Sequence, residues 1–228
     1  MTLYMVATPI GNLEDITIRA LSVLGSVSCV YAEDTRVTKR LLQKYDIHTP
    51  LESFHARSSE KKTAKIINDL SLGKDIALVT DAGTPGISDP GTKLVADVIR
   101  ALPTTVVRAV PGPSALSAAL SIAGVPNNQF RFLGFLPHKR GRETLFRAIA
   151  SEKDLVIFFE SPHRILKTLH SLKDHVPHAR VVLVREMTKI YEERLEGTPD
   201  ALIDLLTQET EKQKGEFVVL VAPKRPMS

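Results

Sequence analysis

The chain has 228 residues, 43% hydrophobic and 25% charged, which suffices for one large α/β domain or two smaller ones and argues against disorder. Its single cysteine, Cys29, excludes an internal disulfide, and no Cys-x-x-Cys or His-Glu-x-x-His spacing offers zinc a home. No metal is therefore expected, and a reducing, cytoplasmic setting fits.

The net charge of +4 and pI near 9.2 are compatible with nucleic acid without requiring it. Residues 1–114 carry 13 Lys and Arg against 12 Asp and Glu, and residues 115–228 carry 17 against 14, so the excess lies in the second half. Met1 to Ala7 has no basic flank and meets Thr8-Pro9 after one short apolar run, so no secretory leader is expected. No uncharged apolar stretch approaches the ~20 residues of a membrane span, so no membrane partner is expected either.

Short apolar runs alternate with helical patterns, the mark of an α/β architecture. A strand is expected over Leu3–Ala7, a helix from about Asp15 to Leu24, a strand over Val27–Ala32 and an amphipathic helix from about Val37 to Lys44. Ser58 to Leu72 reads as a helix capped by Ser58 or Ser59 and ended by Gly73. Asp75 to Thr80 holds Ile76-Ala77-Leu78-Val79, a run suited to a strand buried on both faces. A helix over Gly91–Leu102, a strand over Thr104–Val110 and a helix over Ser114–Ala123, with Pro113 in its first turn, complete the first half.

After the polar break Pro126-Asn127-Asn128, strands are expected over Phe130–Leu136, Leu155–Phe159, Val181–Val184 and Phe217–Val221, with a ribbon across Ile190–Glu196. Helices are expected near Arg142–Ala150, Arg164–Leu172 and Asp200–Thr207. These elements divide into an N-terminal α/β lobe, residues 1–112, and a C-terminal α/β lobe, residues 113–228, with a hinge near 111–126.

The densest signal is the loop Thr80-Asp81-Ala82-Gly83-Thr84-Pro85-Gly86-Ile87-Ser88-Asp89-Pro90-Gly91. It follows a buried strand and precedes a helix, which in a parallel sheet is where ligands bind. Its glycines allow close backbone approach, and its prolines stiffen it and remove donors. It matches neither Gly-x-Gly-x-x-Gly nor Gly-x4-Gly-Lys-Ser/Thr, so a small neutral or zwitterionic ligand suits it better than a triphosphate. Thr8 to Leu13 and Pro111 to Ala115 have the same placement. Each alone reads more readily as an ordinary helix start; together with the first they outline a small-molecule crevice.

These stretches, with Ala32-Glu33-Asp34-Thr35-Arg36, Phe132 to Pro137, Phe158 to Arg164, Arg185 to Lys189 and Lys214 to Phe217, resemble the tetrapyrrole methylases from end to end of the chain. Within that family they resemble the branch that methylates the ribose 2′-hydroxyl of a decoding-centre cytidine in 16S ribosomal RNA. The resemblance implies a fold of two α/β lobes with the cofactor cleft between them, S-adenosyl-L-methionine as cofactor, 16S rRNA or the small ribosomal subunit as partner, and a homodimer. It implies cofactor contacts from Pro9, Asp81, Gly83, Thr84, Ile87, Ser114 and Ala115 in the first lobe, and from Phe159, Glu160, Glu186 and Glu216 in the second. Many members carry a helical extension beyond the last strand; here the sequence stops at Ser228, and RNA contacts from such an extension are not expected.

A hydroxyl attacking a sulfonium methyl needs positioning first and a proton acceptor second. Asp34 and Arg36 are the catalytic candidates, Asp34 taking the proton and Arg36 holding a phosphate; the competing reading of Asp34 is a helix N-cap. Candidate RNA contacts are Arg36, Lys39 and Arg40, the loop residues His138, Lys139, Arg140 and Arg142, and Arg164. His163 as a base and His55 as a base-stacking group are weaker candidates than structural roles for both. A tetrapyrrole or diphthine-type acceptor on the same fold, or a non-catalytic RNA-binding assembly factor, stand as alternatives.

Overall fold

A computed structural model describes residues 1–55, 60–89, 91–126 and 128–222, which form two compact units, Met1–Ser114 and Ala115–Ser228. The expected cap at Ser58 or Ser59 and the loop residue Pro90 lie outside the described residues.

In the first unit the elements run β1 (Thr2–Val6), α1 (Ile18–Ser26), β2 (Cys29–Ala32), α2 (Thr35–Lys44), β3 (Leu51–Ser53), α3 (Glu60–Ser71), β4 (Ile76–Val79), α4 (Gly91–Ala101) and β5 (Val106–Val110). All five strands are parallel, in the order β3-β2-β4-β1-β5. Every residue of β2 and β4 is buried, as a strand covered on both faces requires.

The alternation of side chains along these strands separates two cores. Leu3, Cys29, Tyr31, Ile76 and Leu78 pack with Ile66 and Leu70 of α3 and Leu94 and Val98 of α4. Val6, Val30, Ala32, Ala77 and Val79 pack with Ala20 and Leu24 of α1 and Leu42 of α2. So the helices that follow β1 and β2 cover one face, and those that follow β3 and β4 cover the other. β4 lies between β1 and β2. The chain therefore leaves the carboxyl ends of neighbouring strands toward opposite faces on both sides of β4, the topological switch point at which open α/β sheets bind ligands.

The second unit runs α5 (Ala115–Ile122), β6 (Phe130–Phe135), α6 (Arg142–Ala150), β7 (Leu155–Glu160), α7 (Ile165–His175), β8 (Arg180–Arg185), β9 (Glu193–Gly197), α8 (Pro199–Gln208) and β10 (Phe217–Ala222). Its sheet is mixed, in the order β6-β7-β10-β8-β9, with β6 parallel to β7 and the other neighbours antiparallel. α6, α7 and α8 share one core through Phe146, Ile149, Leu169, Leu172, Leu202 and Leu206.

Three expectations shift. The helix after β1 starts at Ile18, where the Thr17 hydroxyl accepts from the Ala20 N–H; Leu13–Asp15 forms a short 3-10 turn instead. The ribbon of the second unit begins at Glu193, leaving Ile190 and Tyr191 exposed in the connection. β3 was not expected at all. No described helix is long and apolar enough to cross a membrane.

Candidate functional site

The loops that leave β1, β4 and β5 are tied to one another. Thr8 N–H donates to Gly83 O and Gly83 N–H to Thr8 O, both at 2.9 Å. The Thr8 hydroxyl reaches Thr80 O at 3.2 Å and the Thr84 hydroxyl reaches Pro113 O at 3.1 Å. Gly83 holds φ +79°, and a Cβ there would meet Ile10 Cγ2 at 3.3 Å and Pro113 O at 3.6 Å. Only glycine adopts this conformation without strain and lets three loops close at one point. Pro9 is buried beneath them, while Thr84, Ile87 and Ser114 are half-buried and Asp81 is exposed. Asp89 folds the rest of the loop back, its carboxylate accepting from Gly86 N–H at 2.6 Å and Gly91 N–H at 2.7 Å.

Carboxylates collect beside these loops. Asp34 N–H donates to Asp81 Oδ1 at 2.7 Å, joining the ends of β2 and β4. Burial pushes the Glu33 carboxyl above its ordinary value, and the charges of Asp81 and Asp89 push it further. Asp34 behaves oppositely. It caps α2 by accepting from Arg36 N–H at 2.8 Å and grips the Arg36 guanidinium with both oxygens. Those bonds hold its carboxyl down at about 2. So weak a base is a poor acceptor for a hydroxyl proton at neutral pH, and the cap matches the competing reading of Asp34. Glu33, not singled out in the sequence, is the stronger base of the two carboxylates. Arg36 is exposed, as are Lys39 and Arg40 on α2.

In the second unit Glu160 is 1% exposed. Its oxygens accept from Ser161 N–H at 2.8 Å and the Thr168 hydroxyl at 2.5 Å, and Arg164 Nε lies 3.2 Å away. With both oxygens engaged, Glu160 ties the end of β7 to the start of α7. Arg164 also donates to Leu136 O at 2.7 Å, so its guanidinium is spent on the protein. Arg142 is 7% exposed, bonded to the Thr168 hydroxyl at 2.8 Å and stacked 4.9 Å over the Phe146 ring. Burial lowers its basicity. Both guanidiniums have partners within the protein, whereas His138, Lys139 and Arg140 are exposed.

Glu186 and Glu216 meet across β8 and β10. Glu186 N–H donates to Glu216 O and Glu216 N–H to Glu186 Oε1, both at 3.0 Å, and Lys189 bridges the two side chains. Burial alone would raise the Glu186 carboxyl, but the bonds from Lys189 and the Glu216 N–H prevail and lower it. Phe159 is half-buried against Phe132, and Ala115 opens α5. Among the described residues no group of His, Cys, Asp and Glu has the arrangement of a metal site.

Residues 2–203 match the model of the Tetrapyrrole (Corrin/Porphyrin) Methylases. The chain belongs to this family. Among relatives of this tetrapyrrole methylase, the ribosomal RNA small subunit methyltransferase I of Thermotoga maritima is 44% identical, covering 97% of this chain and 98% of its own. The protein of that name from Pseudomonas aeruginosa is 47% identical, covering 97% and 78%. Solved structures place the tetrapyrrole methylase fold beyond doubt. Diphthine synthase superposes with a TM-score of 0.74 at 13% identity, over 99% of this chain and 91% of its own. Cobalt precorrin-4 methyltransferase gives 0.69 at 18%, over 97% and 94%. At such identities the likeness speaks to the fold alone.

Proposed function

We propose that this tetrapyrrole methylase transfers a methyl group from S-adenosyl-L-methionine to the ribose 2′-hydroxyl of a decoding-centre cytidine in 16S rRNA, with the small ribosomal subunit as substrate. The observation that carries the reading is the near full-length identity, at 41–47%, to proteins named ribosomal RNA small subunit methyltransferase I. The crevice at the end of β4 supports the cofactor. Gly83 at positive φ lets the loops of β1, β4 and β5 close on one another there, and the carboxylates of Glu33 and Asp81 beside them suit a cationic sulfonium.

When bound, the cofactor supplies a methyl already activated toward in-line displacement. Pro9, Asp81, Gly83, Thr84, Ile87 and Ser114 would hold it, and Ala115, Phe159, Glu160, Glu186 and Glu216 are the further candidates. As the new oxygen–carbon bond forms and the sulfur–carbon bond breaks, the hydroxyl proton must leave. Glu33 accepts it, with Asp34 shaping the β2–α2 turn and Arg36 available to a flanking phosphate. A homodimer and a cytoplasmic setting accompany this reading.

The test is transfer of labelled methyl to small subunits lacking the modification. Label in RNA supports the reading. Bound cofactor with label appearing only in an elongation-factor or tetrapyrrole acceptor would replace it.

A further inference from the structure

We propose that Phe135 is a stacking platform for an unpaired RNA base, with Lys139 and Arg140 on the adjoining phosphates. The proposal rests on the RNA reading above and adds a binding surface to it.

β6 is an edge strand, and its pairing with β7 slips between Phe132 and Phe135. Phe132 lies opposite Ile157 and Phe135 opposite Phe159, so three steps on β6 match two on β7. The extra residue is accommodated where Gly134 adopts φ +62°. A bulge of this kind re-aims the next side chain. Phe135 consequently stands 60% exposed, although it is large and apolar.

It is nevertheless held. The Phe159 ring lies 5.4 Å from it at 60°, and Phe159 is braced in turn by Phe132 at 5.0 Å and 69°. An exposed aromatic fixed by its neighbours can stack a base with little ordering cost, and every base presents a π-face.

The charges beside it fit the same partner. Leu136 is buried and turns the chain, and His138, Lys139 and Arg140 follow it, all exposed. Arg142 and Arg164 are engaged by Thr168, Glu160 and backbone carbonyls, whereas Lys139 and Arg140 form no side-chain ion pair among the described residues. An aromatic face followed within five residues by two uncommitted cations complements single-stranded RNA, whose bases are apolar and whose backbone is anionic.

The experiment compares wild type, Phe135→Leu and Phe135→Tyr for equilibrium binding to unmethylated small ribosomal subunits. Binding of S-adenosylhomocysteine by calorimetry and sedimentation velocity are measured on the same samples. Leucine keeps the apolar area but has no π-face, so Phe135→Leu should bind the subunit about 5- to 100-fold more weakly. Phe135→Tyr should stay within about 2-fold, with homocysteine-product affinity and sedimentation unchanged in both. Wild-type affinity in Phe135→Leu overturns the platform and leaves the RNA reading intact. Lost product binding would make Phe135 part of the cofactor site, and altered sedimentation would make it a self-interface; either overturns the proposal. Absence of subunit binding by wild type would overturn the RNA reading together with it.

Discussion

Thr8 and Gly83 exchange backbone hydrogen bonds in both directions, 2.9 Å each way, so the loops leaving β1 and β4 move as one piece. This clasp sits where the chain departs to opposite faces of the sheet, and Gly83 is the residue that lets it close. Gly83→Ala would place a Cβ 3.3 Å from Ile10 Cγ2 at φ +79°. The left-handed conformation alone costs about 1–2 kcal/mol. We expect a matching loss in denaturant stability and weaker S-adenosylhomocysteine binding by calorimetry, because the strain falls on the loops that frame the crevice.

Gly215 and Gly73 make a controlled pair. Both have positive φ, +92° and +84°. A Cβ at Gly73 meets nothing within 4 Å, whereas one at Gly215 would overlap Glu186 Cγ and lie 2.6 Å from its Oε1. Gly73→Ala should cost about 1 kcal/mol from backbone conformation alone. Gly215→Ala must also displace Glu186 from the Glu216 N–H and Lys189, and chemical denaturation should show a clearly larger loss.

Glu33 and Asp34 should respond differently to substitution. With the Glu33 carboxyl raised above its ordinary 4.5, its deprotonated form is reached only as pH climbs past that value. The methyl-transfer rate should therefore rise with pH above 4.5 and level off once Glu33 is ionised. Glu33→Gln should remove this limb and lower kcat by about 10²- to 10⁴-fold. Asparagine remains a good N-cap, so Asp34→Asn should retain fold stability and lose less than about tenfold in rate.

Acid stability has a readable source in the second unit. Arg180 and Arg194 both bind Glu196 while donating to the carbonyls of Ile122, Ala123 and Gly124 at the end of α5. The guanidiniums of Arg180 and Arg194 hold the Glu196 carboxyl down at about 2. Because the native value lies below the ordinary 4.5, this stabilisation is complete above 4.5 and is lost as pH falls toward 2. Glu196→Gln should flatten that part of the stability–pH curve, measured by urea unfolding from pH 7 down to pH 2.

The cations around β6 should separate into two kinds. Lys139→Ala and Arg140→Ala should leave stability within about 0.5 kcal/mol and reduce the salt dependence of RNA binding by about one unit of slope each. Arg142→Ala removes a buried guanidinium from Thr168 and Phe146 and should cost about 1–3 kcal/mol. His138-Lys139-Arg140-Gly141-Arg142 reads as one basic loop in the sequence. Only folding reveals that its last member turns inward at the start of α6.

That contrast shows where the sequence is transparent. β4 was legible because Ile76-Ala77-Leu78-Val79 has one destination, a strand buried on both faces. Its following loop was legible as a tight turn because glycine tolerates the positive φ seen at Gly83 and Gly86 and proline fixes its own φ. β3 was not, since Leu51-Glu52-Ser53 is three residues long with one apolar side chain at the sheet edge. Asp34 and Glu33 are adjacent carboxylates, and nothing in their order reveals which one Arg36 will claim. The outward turn of Phe135 depends on a register slip beside Gly134, a property of pairing rather than of composition. Nor does sequence order reveal that Glu160 is met by Thr168 and Arg164 from α7 and its N-terminal turn.

The most direct measurement digests small-subunit RNA to nucleosides after incubation with the protein and labelled S-adenosyl-L-methionine, then identifies and maps the methylated nucleoside. The account predicts 2′-O-methylcytidine at the decoding centre, reduced strongly by Glu33→Gln. A methyl on a base, on another nucleotide, or in no RNA at all would contradict it.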